Sequence, residues 1–156
     1  MAIQKISVNT APEKCADMLN STQWANDFSW KQLEVLGRYF EPFSIEKGDV
    51  LFQEGDLGGT MSLLIKGRIE IQKDHKKLTA LQPGRSFGEM SLIDNQCRSA
   101  CAIAIENSVF ISIDKDNFAQ LSKEHASLAL MLVMKITRLL SQRLRQTSSQ
   151  LAEYIE

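Results

Sequence analysis

The chain has only two histidines and three cysteines, and no excess of charge: 18 lysines and arginines stand against 19 aspartates and glutamates, a formal net charge of -1 at pH 7. That balance removes any overall field that would draw a polyanion, so charge gives nucleic-acid binding no support, and an anion site has to be local. No stretch reaches the roughly 18 uninterrupted apolar residues of a membrane span, and the opening Met-Ala-Ile-Gln-Lys-Ile-Ser-Val lacks the apolar run of a signal peptide. These features predict a soluble, cytoplasmic protein. Cys15, Cys97 and Cys101 are odd in number and lack zinc-ribbon or Cys-x-x-Cys spacing, which fits free thiols in a reducing compartment. Cys97 adjoins Arg98, which could lower its pKa, but a small residue filling a turn explains it as well. His75 and His125 are isolated, without the partner spacing of a metal site. Neither G-x-G-x-x-G nor a P-loop lysine pattern occurs, and Ser62 and Ser91 have no base in sequence context. The expectation is a non-catalytic protein without metal or cofactor.

What is present is 44% apolar composition over 156 residues, enough to bury one sizeable core and too short to demand two full domains. The chain divides into an N-terminal arm (1–21), a central domain with its lead-in helix (22–126) and a C-terminal helix (127–156). The arm has mixed polarity and could be loose or form a short helix around Glu13 to Leu19. Trp24, Phe28, Leu33, Leu36 and Phe40 recur at helical intervals, and Ser29 can cap a helix over Trp30 to Arg38. From Phe43 to about Ile113 short apolar runs alternate with turn signals such as Lys47-Gly48-Asp49, Lys73-Asp74-His75-Lys76-Lys77 and Pro83-Gly84. Punctuation at intervals of roughly eight to twelve residues marks a compact antiparallel barrel or sandwich. The spacing predicts strands over 42–45, 50–53, 60–66, 68–73, 77–82, 98–105 and 108–114, with Gly67 closing a hairpin. Helical periodicity then returns: Asp116 can cap a helix through Leu121, and a long helix runs from about Ala126 to near Ile155. Its apolar set Leu128, Leu132, Ile136, Leu139, Leu140 and Leu144 is a seam that wants cover, from its own domain or from a second chain.

One segment carries chemistry. Phe87-Gly88-Glu89-Met90-Ser91-Leu92-Ile93-Asp94-Asn95-Gln96-Cys97-Arg98-Ser99-Ala100 reads as a turn, a glycine-opened helical turn and a single arginine. A helical N-terminus near Gly88 presents unpaired backbone N–H groups to an anion, and the Arg98 guanidinium can fork onto phosphate oxygens. Glu89 is an acceptor-only group; beside an anion it needs a donor of its own, which a ribose 2′-hydroxyl supplies. The pair suits a small cyclic phosphate ester. Arg98 could instead pair with Glu89 or a neighbouring acid and leave the cassette empty.

That segment resembles the phosphate-binding cassette of the cyclic nucleotide-binding domain family, which includes bacterial catabolite activator proteins and regulatory subunits of cyclic-AMP-dependent kinase. Glu41-Pro-Phe, Gly48-Asp-Val-Leu-Phe-Gln-Glu-Gly-Asp, Leu64-Ile-Lys-Gly-Arg-Ile-Glu-Ile and Leu81-Gln-Pro-Gly follow that family's order and spacing, so the likeness covers roughly Trp24 to Leu144. It implies a mainly β fold, an eight-stranded antiparallel jelly-roll barrel with an N-terminal helix and a long C-terminal helix. It also implies that Glu89 binds the ribose 2′-hydroxyl, that Arg98 binds the exocyclic phosphate oxygens, and that the backbone of Gly88, Met90, Ser99 and Ala100 completes the cradle. Phe87 and Ser91 complete the implied contact set, and Arg138, Leu139 and Arg143 are candidates for base contacts. Many members carry glycine where Asn95 stands and proline where Cys97 stands; neither change removes a charge partner. Cyclic AMP rather than cyclic GMP is expected from the family, since Ser99 decides nothing between them. The implied module is a non-catalytic sensor that couples ligand binding to movement of its C-terminal helix, regulates a partner protein and has a possible homodimer contact through that helix. The helix-turn-helix domain of the activators is not seen, so no direct DNA binding is expected. A ligand-free scaffold for dimerisation or docking, or the sensor fragment of a longer transcription regulator or channel, are the alternatives.

Overall fold

A computed structural model of the chain describes residues 4–5 and 12–155. The rest of the N-terminal arm lies outside the described residues. Two compact units divide the chain, Met1–Phe118 and Ala119–Glu156.

The first unit begins with β1 (Gln4–Lys5), then α1 (Pro12–Asn20), a 3-10 turn at Gln23–Asn26 and α2 (Trp30–Gly37). Ser29 does cap α2: its Oγ accepts from Gln32 N while Gln32 Oε1 accepts from Ser29 N at 2.8 Å, a reciprocal arrangement that satisfies two donors at the helix start. Eight strands follow as the jelly roll: β2 (Glu41–Ile45), β3 (Val50–Phe52), β4 (Thr60–Lys66), β5 (Ile69–Lys73), β6 (Lys76–Leu81), β7 (Ser86–Phe87), β8 (Cys101–Ala104) and β9 (Ser108–Asp114). A short helix, α3 (Glu89–Asp94), interrupts them between β7 and β8.

The strands form two antiparallel sheets, β1-β2-β9-β4-β7 and β3-β8-β5-β6. Their inner faces supply Ile45, Leu64, Ile69, Leu81, Phe87, Ala102, Ala104 and Phe110, all buried in one cluster. β4 and β9, at the centre of the larger sheet, are buried along nearly their whole length, as strands covered on both faces must be.

Three expectations need correction. Gly67 does not close a hairpin, because β4 and β5 belong to different sheets. It turns the corner between them at φ +95°, after an irregularity in β4 between Leu64 and Lys66, and an added Cβ would stand 2.6 Å from Asn107 O. The hairpin lies between β5 and β6, where Asp74 and His75 both take positive φ, the backbone of a two-residue turn whose twist matches its strands. The strand predicted from residue 98 starts at Cys101, since the Arg98 backbone is bonded to a loop rather than to a ladder. Asp114, not Asp116, caps the next helix: α4 (Lys115–Glu124) starts directly where β9 stops, and Asp114 Oδ1 accepts from Asn117 N at 2.7 Å.

The second unit is dominated by α5 (Ala126–Ile155). Leu128, Ala129, Leu132 and Ile136 are buried, Leu139 and Leu140 are half-buried, and Leu144, Leu151 and Ile155 are exposed. No helix among the described residues is long and apolar enough to cross a membrane.

Candidate functional site

The loop at 53–59 and the cassette are tied together through the Arg98 backbone. Gly55 N donates to Arg98 O and Arg98 N donates to Asp56 O, both at 2.8 Å. The loop holds its own shape because Gln53 N donates to Asp56 Oδ2 at 2.9 Å. On the other side Gly88, at φ +77°, turns the chain into α3; a Cβ there would lie 2.5 Å from Arg98 Nη1 and 2.9 Å from Thr60 O. Asn95 closes α3 in the left-handed region, as its side chain permits.

Ser91 joins the pieces. Its Oγ accepts from Gly59 N at 3.1 Å and from Arg98 Nη1 at 2.8 Å, and donates to Gly88 O at 3.1 Å. Gly58 has to be glycine beside it, because a Cβ would come within 2.2 Å of Ser91 Cβ.

Arg98 is only 8% exposed. Nη1 also donates to Thr60 O and Gly88 O, each at 3.1 Å, and Nη2 donates to Thr60 Oγ1 at 2.6 Å. The guanidinium carbon lies 4.1 Å from the centre of the Phe52 ring, a cation–π contact that fixes the plane. The acceptors around this cation are thus neutral oxygens, where the sequence suggested an acid. Nε makes no hydrogen bond among the described residues, although it is buried. Nη1 has both protons committed and Nη2 one, so the remaining Nη2 proton and Nε–H share one edge, a two-pronged donor without an acceptor. Burial pushes the guanidinium pKa down; Glu89 and then Asp56 oppose that by their charge. Glu89, 3% exposed at the start of α3, is the principal counter-charge.

The other expected residues are distributed as follows. Phe87 is buried in β7, Met90 is exposed on α3, Ala100 is half-buried, and Ser99 is exposed with its carbonyl accepting from Lys73 Nζ at 2.9 Å. Arg138 is exposed and Leu139 and Arg143 half-buried on α5, in the second unit. Sequence reasoning missed Thr60, Phe52 and Gly58. Only the Gly58-Gly59-Thr60 run hinted at them, by demanding close backbone approach next to a hydroxyl. Below Arg98 lies a partly open cavity of about 300 Å³, lined by Phe43, Phe52, Phe87, Phe110, Ser62 and Ser112 among others. Among the described residues no cluster of histidine, cysteine or carboxylate could hold a metal ion.

The chain is thus a jelly roll with a buried arginine in the loop that follows a glycine-opened helical turn. The sequence profile of the cyclic nucleotide-binding domain matches residues 42–125, more than half of the chain. The protein belongs to that family, one of regulatory, non-catalytic modules. A cyclic AMP receptor protein from Thermus thermophilus is 29% identical over 126 residues, 78% of this chain and 56% of the relative. Human cGMP-dependent protein kinase 2 is 39% identical over 125 residues, 76% of this chain and 16% of the kinase. Among solved structures, a cyclic nucleotide-binding domain from Methylobacillus flagellatus superposes with a TM-score of 0.78 at 25% identity, covering 89% of this chain and 81% of that one. The chain spans about half the length or less of these curated relatives.

Proposed function

We propose that the chain is a cytoplasmic cyclic mononucleotide sensor, and that its ligand is cyclic AMP in preference to cyclic GMP. The observation that carries this reading is the buried Arg98 edge, Nε and one Nη2 proton, which has donors and no acceptor among the described residues. A buried donor left unsatisfied is costly, and a phosphate offers two oxygens at the spacing of that edge. Glu89 accepts from the ribose 2′-hydroxyl, and the backbone of Gly88, Met90, Ser99 and Ala100 completes the anion cradle. Phe87 and Ser91 hold the cassette in place from β7 and from the Arg98 side. The boundaries 22–126 and 127–156 separate a binding part from α5, on which Arg138, Leu139 and Arg143 are the candidates for base contacts. Ligand binding favours one disposition of α5 over another, and a partner protein or a second copy reads that change.

A second reading, a ligand-free scaffold, draws support from the four hydrogen bonds the guanidinium already makes. A third, the sensor part of a longer regulator, draws support from the greater length of the relatives. Calorimetric titration with cyclic AMP and cyclic GMP, on the wild type and Arg98→Ala, separates the first two. The sensor reading expects saturable heat for the wild type, larger for cyclic AMP, and none for the variant. No heat with either nucleotide would favour the scaffold.

A further inference from the structure

The cavity beneath Arg98 is not the same space as the cassette. Of the expected ligand contacts only Phe87 and Arg98 line it, while Glu89, the residue assigned to the sugar, does not. Its walls are aromatic: Phe43 stacks on Phe110 with centroids 5.5 Å apart, Phe87 meets Phe110 edge-on at 6.0 Å, and Phe52 stacks on Phe87 at 6.4 Å. Into this box project two hydroxyls from the centre of the larger sheet. Ser62 on β4 and Ser112 on β9 are paired residues in the register, 6% and 9% exposed, and their Oγ atoms are 2.6 Å apart.

Two hydroxyls have two protons, and the bond between them uses one. Among the described residues neither serine makes a further hydrogen bond through its side chain, so one buried O–H has no acceptor there. A polar pair at the heart of an apolar sheet would be expected to shrink to alanine or grow to valine if packing were its whole purpose. An enclosed donor amid aromatic rings, in a volume at the lower end of the roughly 300–1,000 Å³ of small-molecule pockets, has the make-up of a ligand site. The mouth carries Asp56 and the exposed Leu57, and the one cation, Arg98, has the Nη protons nearest Thr60 and Ser91 already engaged. Acid at the entrance and walls that are mostly aromatic favour a neutral, mainly apolar guest.

We infer that the interior of the jelly roll holds a second binding site, for a compact, neutral, mainly apolar molecule bearing one acceptor oxygen, such as an aryl or short-chain ketone. Its oxygen accepts from the Ser62–Ser112 pair, its apolar body fills the phenylalanine box, and its far side abuts the plane of Arg98. This site stands apart from the cyclic nucleotide reading and does not need it.

The test uses acetophenone as probe and ethylbenzene as its counterpart lacking the acceptor, followed by the 1H–13C signals of phenylalanine-labelled protein. Acetophenone should give saturable shifts in the phenylalanine ring signals and bind about five-fold more tightly than ethylbenzene. In Ser62→Ala/Ser112→Ala the two probes should bind alike, with a melting curve confirming that the variant is folded; Ser62→Ala alone is the fallback if it is not. Glu89→Gln should bind acetophenone as the wild type does. Absence of saturable shifts at millimolar probe would overturn the proposal, as would an unchanged probe preference in the serine variants. Loss of probe binding in Glu89→Gln would also overturn it, by showing that the cavity is the cassette's own space.

Discussion

The cassette around Arg98 and the distal half of α5 handle their surfaces in opposite ways. Around Arg98, charged and polar groups are buried and held by short-range partners from four separate segments: β4, the 53–59 loop, Gly88 and α3. Past Ile136, α5 exposes Leu144, Leu151 and Ile155, apolar groups with no buried residue among the last 19 positions of the helix. One region has satisfied most of its buried polar groups, with Arg98 Nε left without a hydrogen bond among the described residues; the other is stable as a helix by repetition and leaves its apolar side chains in water. The contrast separates a part that buries its polar groups against its own chain from a part that leaves apolar side chains exposed.

The largest break in that contrast is Arg98→Ala. It removes a buried cation bonded to Thr60, Gly88 and Ser91, and cyclic nucleotide affinity should fall roughly thousandfold, about 4 kcal/mol, as read by calorimetry. An affinity within tenfold of the wild type would remove Arg98 from the site. Next comes a comparison within α5. Leu132→Ala, at a side chain with 0% exposure, should cost about 3 kcal/mol in urea unfolding, whereas Leu144→Ala, 67% exposed, should change it by under about 0.5 kcal/mol. A Leu144→Ala cost close to that of Leu132→Ala at micromolar protein would reveal that the exposed stripe is covered in solution.

Gly58→Ala is the smaller test of how tightly the cassette is built. The new methyl has to displace Ser91, so stability should drop by about 1–3 kcal/mol and nucleotide affinity should fall with it. A neutral melting temperature would show that α3 gives way freely. Smallest is the effect of Cys15. Burial, and after it Glu41, pushes its thiol from 9.0 up to about 11. Below pH 9 both folded and unfolded chains keep the proton; between pH 9 and about 11 only the unfolded chain releases it. The stabilisation is therefore fully present below pH 9 and is lost as the pH rises through about 11. Thermal melts from pH 8 to 11 should show a shallower decline for Cys15→Ala, and parallel curves would argue against a buried thiol.

Much of the first unit was legible in the sequence because its signals are local. Glycine at 88 and the Ser29 cap act within a few residues of themselves, so the helical turn after Phe87 and the α2 start could be read without neighbours. Most strand bounds followed from alternation in the same way. Gly67 was misread because a glycine between two apolar runs looks identical whether the chain doubles back within one sheet or crosses to another; only pairing of β4 with β9 and of β5 with β8 distinguishes these. Thr60 and Phe52 were missed for a like reason, since they meet Arg98 from 38 and 46 positions away, beyond any periodicity.

By itself, then, the order of residues determined most of the strands and helices and several of the turns, and it drew attention to one arginine and one glutamate in the segment 87–100. Tertiary structure alone decided that the guanidinium lies over Phe52 with one edge unfilled, and that Ser62 and Ser112 share a hydrogen bond inside a ring of phenylalanines. The physical reason is range: backbone dihedrals and side-chain periodicity are set by neighbours within about one turn, whereas the partner of a buried polar atom is chosen by whichever distant strand the folded core brings against it.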